Sequence, residues 1–244
     1  VNVPYDRGAN IEGSKHAYLK LQSKFNFLHV DNVNFIDCEN TKVRDILGNG
    51  FFCCWDTLNK GNFPLLVGGD HTTALSSIYA ANEYCNANRE MLGVLWFDAH
   101  ADFNTIETSP TGNIHGVPVA VLCGHTLNEL SYGNKLETCQ FGYYGVRDID
   151  SLEFNRFQYY NMNILESERD FEEWTSKFDK IHLSFDMNCL DPSIMGCVNT
   201  KVKNGLTMEK VREKLKMIKE SNKLISMDLV EYNPLLGDNS DVVE

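Results

Sequence analysis

The chain predicts a single α/β domain, a doubly wound and mostly parallel sheet with helices on both faces, and two observations carry that expectation. Short apolar runs recur at 25–30, 63–67, 92–97, 140–146, 181–185 and 224–230, and helix-like stretches at 13–24, 43–60, 72–86 and 207–220 alternate with them. The runs are close to continuous, which is how strands buried on both faces read, and helical crossovers between such strands demand parallel pairing.

Taken in order, Val1-Asn2-Val3-Pro4 looks like a strand end, so the chain is expected to start inside the fold. The run at 63–67 leads into Gly68-Gly69-Asp70-His71, the run at 92–97 into Asp98-Ala99-His100-Ala101-Asp102, and the run at 181–185 into Asp186-Met187-Asn188. In the last helical stretch Met208, Val211, Leu215 and Ile218 fall three or four apart, one face of a helical period. The final run delivers Glu231. No linker rich in Pro, Gly or Ser, no repeat and no low-complexity tract divides the chain. With 244 residues and 43% hydrophobic side chains, residues 1–244 suit one core and are expected to form one domain.

A formal charge of −12 argues against nucleic acid and against anionic lipid, because basic side chains normally supply those attractions. No run approaches the roughly eighteen apolar residues of a membrane span, and the first residues lack the pattern of a signal peptide. A cytoplasmic, soluble protein without a membrane partner is expected. The eight cysteines show no C-x-x-C spacing and several lie in apolar runs, so reduced, buried thiols are expected rather than disulfides or a zinc-thiolate site.

The informative regularity is where polar residues fall. His71, Asp98, Asp150, Asp186 and Glu231 all stand at, or a few residues past, the C-terminal end of a predicted strand, the edge at which open parallel sheets bind ligands. In Asp98-Ala99-His100-Ala101-Asp102 the polar side chains are two apart, so an extended backbone turns all three to one side, and the same period relates Asp186 to Asn188. Six potential ligands then converge: His71, Asp98, His100, Asp102, Asp186 and Asn188. A metal pair bridged by Asp98 and Asp186 would lower the pKa of a shared water and create a nucleophile near neutral pH, which suits a hydrolase. Oxygen and imidazole donors without thiolate favour manganese over zinc, with zinc, iron and cobalt left as alternatives. Asp70 reads as a structural acid, and Gly68 and Gly69 as residues chosen for permissive backbone torsions. The polar loop at 104–115 follows the metal motif directly and is expected to hold substrate, with His115 relaying protons. His125 and His182 adjoin apolar runs and are read as packing or surface residues without partners, and His16 and His29 receive no role.

Three segments carry a specific resemblance: DAHADFNTIETSPTGNIHGVPVA, LSFDMNCLDP and MDLVEYNP. Together they resemble the ureohydrolases, and the arginases in particular, from the first strand to Pro234. The resemblance implies an α/β sheet with helices on both faces, two Mn2+ ions, hydrolysis of L-arginine to L-ornithine and urea, and a homotrimer or hexamer. By motif it implies that His71, Asp98, Asp102 and Asp186 hold one ion and that Asp98, His100, Asp186 and Asn188 hold the other. Glu231 is similar to the carboxylate that meets the guanidinium group, and Thr200 to a threonine lining its pocket. Asn104, Thr111 and Asn113 correspond to residues at the α-carboxylate, and Asp150 to the residue at the α-amino group. His115 stands in the place of the proton shuttle, so His115, Asp102 and Glu231 are the catalytic candidates.

Two departures bear on activity. The pattern D-x-D is here Asp186-Met187-Asn188, which brings three carboxylates rather than four and is expected to weaken the second ion site. The segment from Ser193 to Thr200 replaces a small loop rich in Pro and Gly. Arginases also continue into another helix past the EYNP region, so stability or assembly is expected to differ in a chain ending at Glu244. The leading expectation is a manganese arginase. A catalytically weakened or inactive relative serving as a binding partner competes with it, as does a ureohydrolase acting on agmatine, guanidinobutyrate or formiminoglutamate. The preserved SPTGN string favours an amino-acid substrate over agmatine.

Overall fold

A computed structural model of the chain describes residues 1–25, 30 and 32–243. Among these residues seven strands form one sheet: β1 Asn2–Val3, β2 Leu65–Gly68, β3 Leu92–Phe97, β4 Phe141–Tyr144, β5 Asn163–Ile164, β6 Lys180–Asp186 and β7 Leu224–Val230. Their order is β1-β2-β7-β6-β3-β4-β5, and every pair among the described residues is parallel. Among the described residues seven α-helices accompany them: α1 Ala17–Leu21, α2 Val43–Asn59, α3 Ala74–Asn88, α4 Pro118–Leu122, α5 Ser151–Tyr159, α6 Glu168–Ser176 and α7 Met208–Ser221. The expected architecture of a parallel sheet with helices on both faces is therefore present.

The strand expected at 25–30 lies mostly outside the described residues, as does His29; its first residue, Phe25, closes a 3-10 turn, Gln22–Phe25. The helix expected at 13–24 is broken into Ser14–His16, α1 and Gln22–Phe25, of which only α1 is α-helical. The strand expected at 140–146 ends at Tyr144, because Gly145 turns the chain at φ 101°. Three helices and the two-residue β5 escaped the sequence reading. Their apolar faces are short: α6 buries only Phe171, Trp174 and Thr175 against an otherwise acidic sequence, and is started by a capping box between Ser167 and Asp170.

Two apolar layers lie on opposite faces of the sheet. Val94 and Trp96 of β3 face the layer built with α2, α3 and α4, whereas Leu95 and Phe97 face the layer built with α1, α6 and α7. Burying such side chains contributes about 1.5–3 kcal/mol each relative to exposure. Gly142 of β4 lets the Trp174 indole lie against the sheet, since a Cβ there would stand 2.6 Å from that ring. On β6 the two faces differ in kind. Ile181, Leu183 and Phe185 join the apolar layer, and the alternate residues His182, Ser184 and Asp186 are polar yet buried. All eight cysteines are free, and five of them are buried. Among the described residues no helix is long and apolar enough to cross a membrane.

Candidate metal centre

Four strands whose ends carry candidate residues are neighbours in the sheet, in the order β2-β7-β6-β3. Apolar residues close to their C-terminal ends share one row, with Val67 opposite Leu229, Leu229 opposite Phe185 and Phe185 opposite Phe97. The next residues of each chain therefore leave the sheet together, which brings His71, Glu231, Asp186 and Asp98 to one place.

Local structure sets each side chain. Asp70 caps the turn His71–Thr73, its Oδ1 accepting from Thr72 N at 3.0 Å and its Oδ2 from Gly8 N at 2.7 Å, so its role is structural as expected. Gly69 is required for close approach rather than for unusual torsions: its φ is not positive, but a Cβ would stand 2.0 Å from the Tyr5 carbonyl oxygen. Burial drives the Asp70 pKa up to about 7, with the Glu231 charge adding to it. Asp102 and Glu231 are held at φ 47° and 66°, left-handed conformations that cost non-glycine residues and concentrate at functional sites.

The His71 imidazole is buried, stacked on Trp96 at a centroid distance of 4.2 Å. Its Nε2 lies 3.0 Å from Ser184 Oγ, which leaves Nδ1 facing Asp98 Oδ2 at 3.0 Å, Asp102 Oδ2 at 3.2 Å and Asp186 Oδ2 at 3.3 Å. None of those carboxylates meets Nδ1 with hydrogen-bond geometry, so a buried nitrogen is left orphaned among three acids. Burial alone would lower the His71 pKa, but the three carboxylates override it and hold it well above the usual value. Burial, and then the charge of Asp98, push Asp102 and Asp186 upward, whereas His100 and His71 outweigh burial at Asp98 and pull it down. Three acids crowded out of water resist joint ionisation unless a cation joins them. The orphaned nitrogen and the crowded acids fit one divalent ion, and donor atoms of His71, Asp98 and Asp102 lie within 4.8 Å of one another.

The His100 side is built differently. His100 Nδ1 lies 3.2 Å from Asp98 Oδ1, and its Nε2 is 3.7 Å from Asp148 Oδ2 at the partly exposed rim. Asn188 turns its amide oxygen away from the cluster to accept from Ala99 N at 2.9 Å. Its NH2 group donates to Asp186 Oδ2 at 2.9 Å and stands 3.2 Å from His100 Nδ1. This is the reverse of the orientation a ligating amide would take. Turning it over would set two donors against each other and leave the Ala99 N–H unsatisfied, costing about 1–3 kcal/mol.

At the mouth, Glu231 Oε1 accepts from the His71 backbone N–H at 3.0 Å and lies 3.2 Å from His115 Nδ1, while Glu231 Oε2 is buried without a partner. Burial pulls the His115 pKa down, but Glu231 outweighs it and raises the value to about 9. Asn104 donates to Asp150 Oδ2 at 2.6 Å and accepts from Thr108 Oγ1 at 2.8 Å. Asp150 Oδ1 caps α5, accepting from Leu152 N at 2.9 Å and Glu153 N at 3.1 Å. Asn113 is half-buried and Thr111 exposed, with Asn113 N donating to Thr111 Oγ1 at 3.2 Å; Thr200 is exposed. Among the described residues these five do not form one hydrogen-bonded group: Asn104 and Asp150 are paired, Thr111 and Asn113 are paired, and Thr200 stands apart.

Several residues beneath the cluster escaped the sequence reading. His182 has no exposure and does have partners, contrary to expectation: Ser226 Oγ and Asp228 Oδ2, each at 2.8 Å. Asp228 Oδ1 accepts from Ser184 Oγ at 2.8 Å, linking that pair to His71 Nε2. The alternation of polar residues along β6 was the available signal. Arg147 donates to the carbonyls of Asn188 at 3.0 Å and Cys189 at 3.1 Å and so pins the turn after β6. His125 packs against Phe103 and Tyr160, but contrary to expectation it has a partner, Arg156 Nη2 at 3.0 Å from its Nδ1, and His16 is exposed. A cavity of 1210 Å3 lies on the other face of the sheet, lined by Leu65, Met187, Leu215 and Met227, so chemistry rather than volume marks the site.

Comparison with known proteins agrees with this geometry. The arginase of Staphylococcus aureus (strain MRSA252) is 33% identical over 204 residues, which cover 77% of this chain but only 66% of that protein, just under two thirds of its length. The crystal structure of arginase from Bacillus subtilis superposes with a TM-score of 0.85 at 27% identity, covering 99% of this chain and 94% of that one. Entamoeba histolytica arginase, solved in complex with L-ornithine, gives a TM-score of 0.82 at 26% identity, covering 99% and 94%. The model of the arginase family matches residues 7–243, a span that takes in six of the seven strands and every residue of the acid cluster, and the chain belongs to that family.

Proposed function

We propose that the chain is a manganese-dependent hydrolase that cleaves the guanidinium group of L-arginine to L-ornithine and urea. The observation that carries this reading is Glu231, whose Oε2 is buried without a partner beside the acid cluster. A carboxylate oxygen with free lone pairs in a dry site takes guanidinium N–H donors as charge-assisted hydrogen bonds. His71, Asp98, Asp102 and Asp186 would hold Mn2+. When bound, the metal acidifies a water molecule and so supplies a nucleophile near neutral pH.

The chain's own residues do the rest. Glu231 fixes the guanidinium group so that its carbon faces the cluster, and Asp102 accepts a hydrogen bond from the attacking water. As the bond from that carbon to the ornithine nitrogen breaks, the departing amine takes a proton from His115. Glu231 Oε1, 3.2 Å from His115 Nδ1, favours the protonated ring. Asn104, Thr111 and Asn113 receive the α-carboxylate, Asp150 the α-amino group, and Thr200 lines the guanidinium pocket. Asp150 supports this by being fixed in place as a helix cap. The chain assembles as a homotrimer or hexamer in the cytoplasm.

Urea release from L-arginine and from agmatine, each with added Mn2+, tests the reading. L-Arginine is expected to be the better substrate. Preference for agmatine makes the chain a different ureohydrolase, and no urea from either, with no turnover of guanidinobutyrate or formiminoglutamate, makes it a catalytically silent member of the family.

A further inference from the structure

We infer that Asn188 closes the second cation position, so that the centre takes one divalent ion, on the His71 side, rather than a pair. The inference rests on the metal-centre reading above and sharpens it. A second ion would have to lie among His100 Nδ1, Asp98 Oδ1 and Asp186 Oδ2. The Asn188 NH2 group already stands there, 3.2 Å from His100 Nδ1 and 2.9 Å from Asp186 Oδ2. One N–H thus meets the Asp186 lone pair that a cation would use, the amide nitrogen fills the space beside His100 Nδ1, and a nitrogen that only donates cannot itself be a ligand.

The amide is held in that orientation from every side. Its oxygen accepts from Ala99 N at 2.9 Å, its own backbone N–H donates to Asp186 Oδ1 at 2.6 Å, and its backbone carbonyl accepts from Arg147 Nη2 at 3.0 Å. The side chain cannot swing its oxygen inward without abandoning the buried Ala99 N–H. The replacement also removes the negative charge that a second hard dication would draw on. On the His71 side nothing comparable intrudes: Nδ1 is orphaned among the three acids.

The experiment is metal stoichiometry on the folded chain, by elemental analysis after loading with excess Mn2+ and desalting, alongside electron paramagnetic resonance. The chain is expected to retain one manganese ion, with the hyperfine sextet of an isolated centre. Two ions with an exchange-coupled signal overturn the inference and leave the metal-centre reading intact, whereas no retained ion overturns both. Asn188→Asp is expected to double the bound manganese and give the coupled signal, and adding His100→Ala to that variant to return it to one ion. A folded Asn188→Asp chain that stays at one ion shows that the amide is not what closes the position, and overturns the inference. If that variant does not fold, the stoichiometry of the native sequence still decides.

Discussion

The two sides of the acid cluster are drawn from the same strand ends, yet they differ in how far the protein satisfies itself. Around His71 three buried carboxylates surround a nitrogen that no hydrogen bond serves. Around His100 the Asn188 amide stands 3.2 Å from Nδ1 and donates to Asp186 Oδ2, and the ring's Nε2, buried without a hydrogen bond, faces the half-open rim 3.7 Å from Asp148. One side is left needing a cation and the other has a neutral group in its place. Donor chemistry alone does not distinguish them, because both offer carboxylate oxygen and imidazole nitrogen. What separates them is whether those donors already have partners.

The strongest way to break the contrast is to remove His71. His71→Ala is expected to lower manganese affinity by about 100-fold or more, measured by calorimetric titration, and to abolish urea release, since ligands and their immediate supports carry such effects. Manganese binding close to native in that variant would mean that the His100 side is the true ion site. Next in size is Glu231→Gln. The amide oxygen can still accept from the His71 backbone N–H, so metal affinity should hold while arginine turnover falls by about 10²–10³-fold, as when one transition-state contact is lost. A parallel loss of metal would place Glu231 in the ion site instead.

Asp150→Ala sharpens the comparison at the substrate end. Loss of the helix cap should cost about 0.5–2 kcal/mol of stability in chemical denaturation. Separately, KM for L-arginine should rise about tenfold, the worth of roughly 1.4 kcal/mol of binding, with little change for agmatine. Equal changes on both substrates sink the assignment of Asp150 to the α-amino group.

The smallest effect concerns pH. Burial, and then the charges of Asp102 and Asp150, lift the Glu153 pKa from its ordinary 4.5 to about 8, although Phe103 N donates to its Oε1 at 2.7 Å. Between those values the unfolded chain has lost a proton that the folded chain keeps, so this group makes stability fall as pH rises, by at most about 1.4 kcal/mol per pH unit. Glu153→Gln keeps an acceptor for Phe103 and cannot ionise. Its stability, from urea denaturation of metal-free protein, should decline less between pH 4.5 and 8 than that of the native sequence, and an unchanged slope would remove the assignment.

How legible the molecule was in its sequence varies by element. β3 and β7 were placed at their observed limits, and β2 and β6 within a residue or two, because buried central strands are continuous apolar runs bounded by polar residues. The edge strand β5, with two residues, has no such pattern; α4 is five residues long and buried all round, and α6 buries too few side chains, so neither shows a period. Asp98, Asp102 and Asp186 were legible as cluster members from their spacing. His182 was not, because its partners Ser226 and Asp228 lie more than forty residues away, on the neighbouring strand.

By itself, then, the order of residues determined which donors exist and that each stands where an apolar run ends. Patterns of burial and two-residue periodicity are local and can be read without knowing any contact. Only the tertiary structure decided that β2, β7, β6 and β3 lie side by side with their ends in one row, and that the Asn188 oxygen answers Ala99 rather than the cluster. Both outcomes depend on hydrogen bonds between segments far apart in the chain, and an amide with two unlike ends takes its orientation from whichever buried partner would otherwise go unsatisfied.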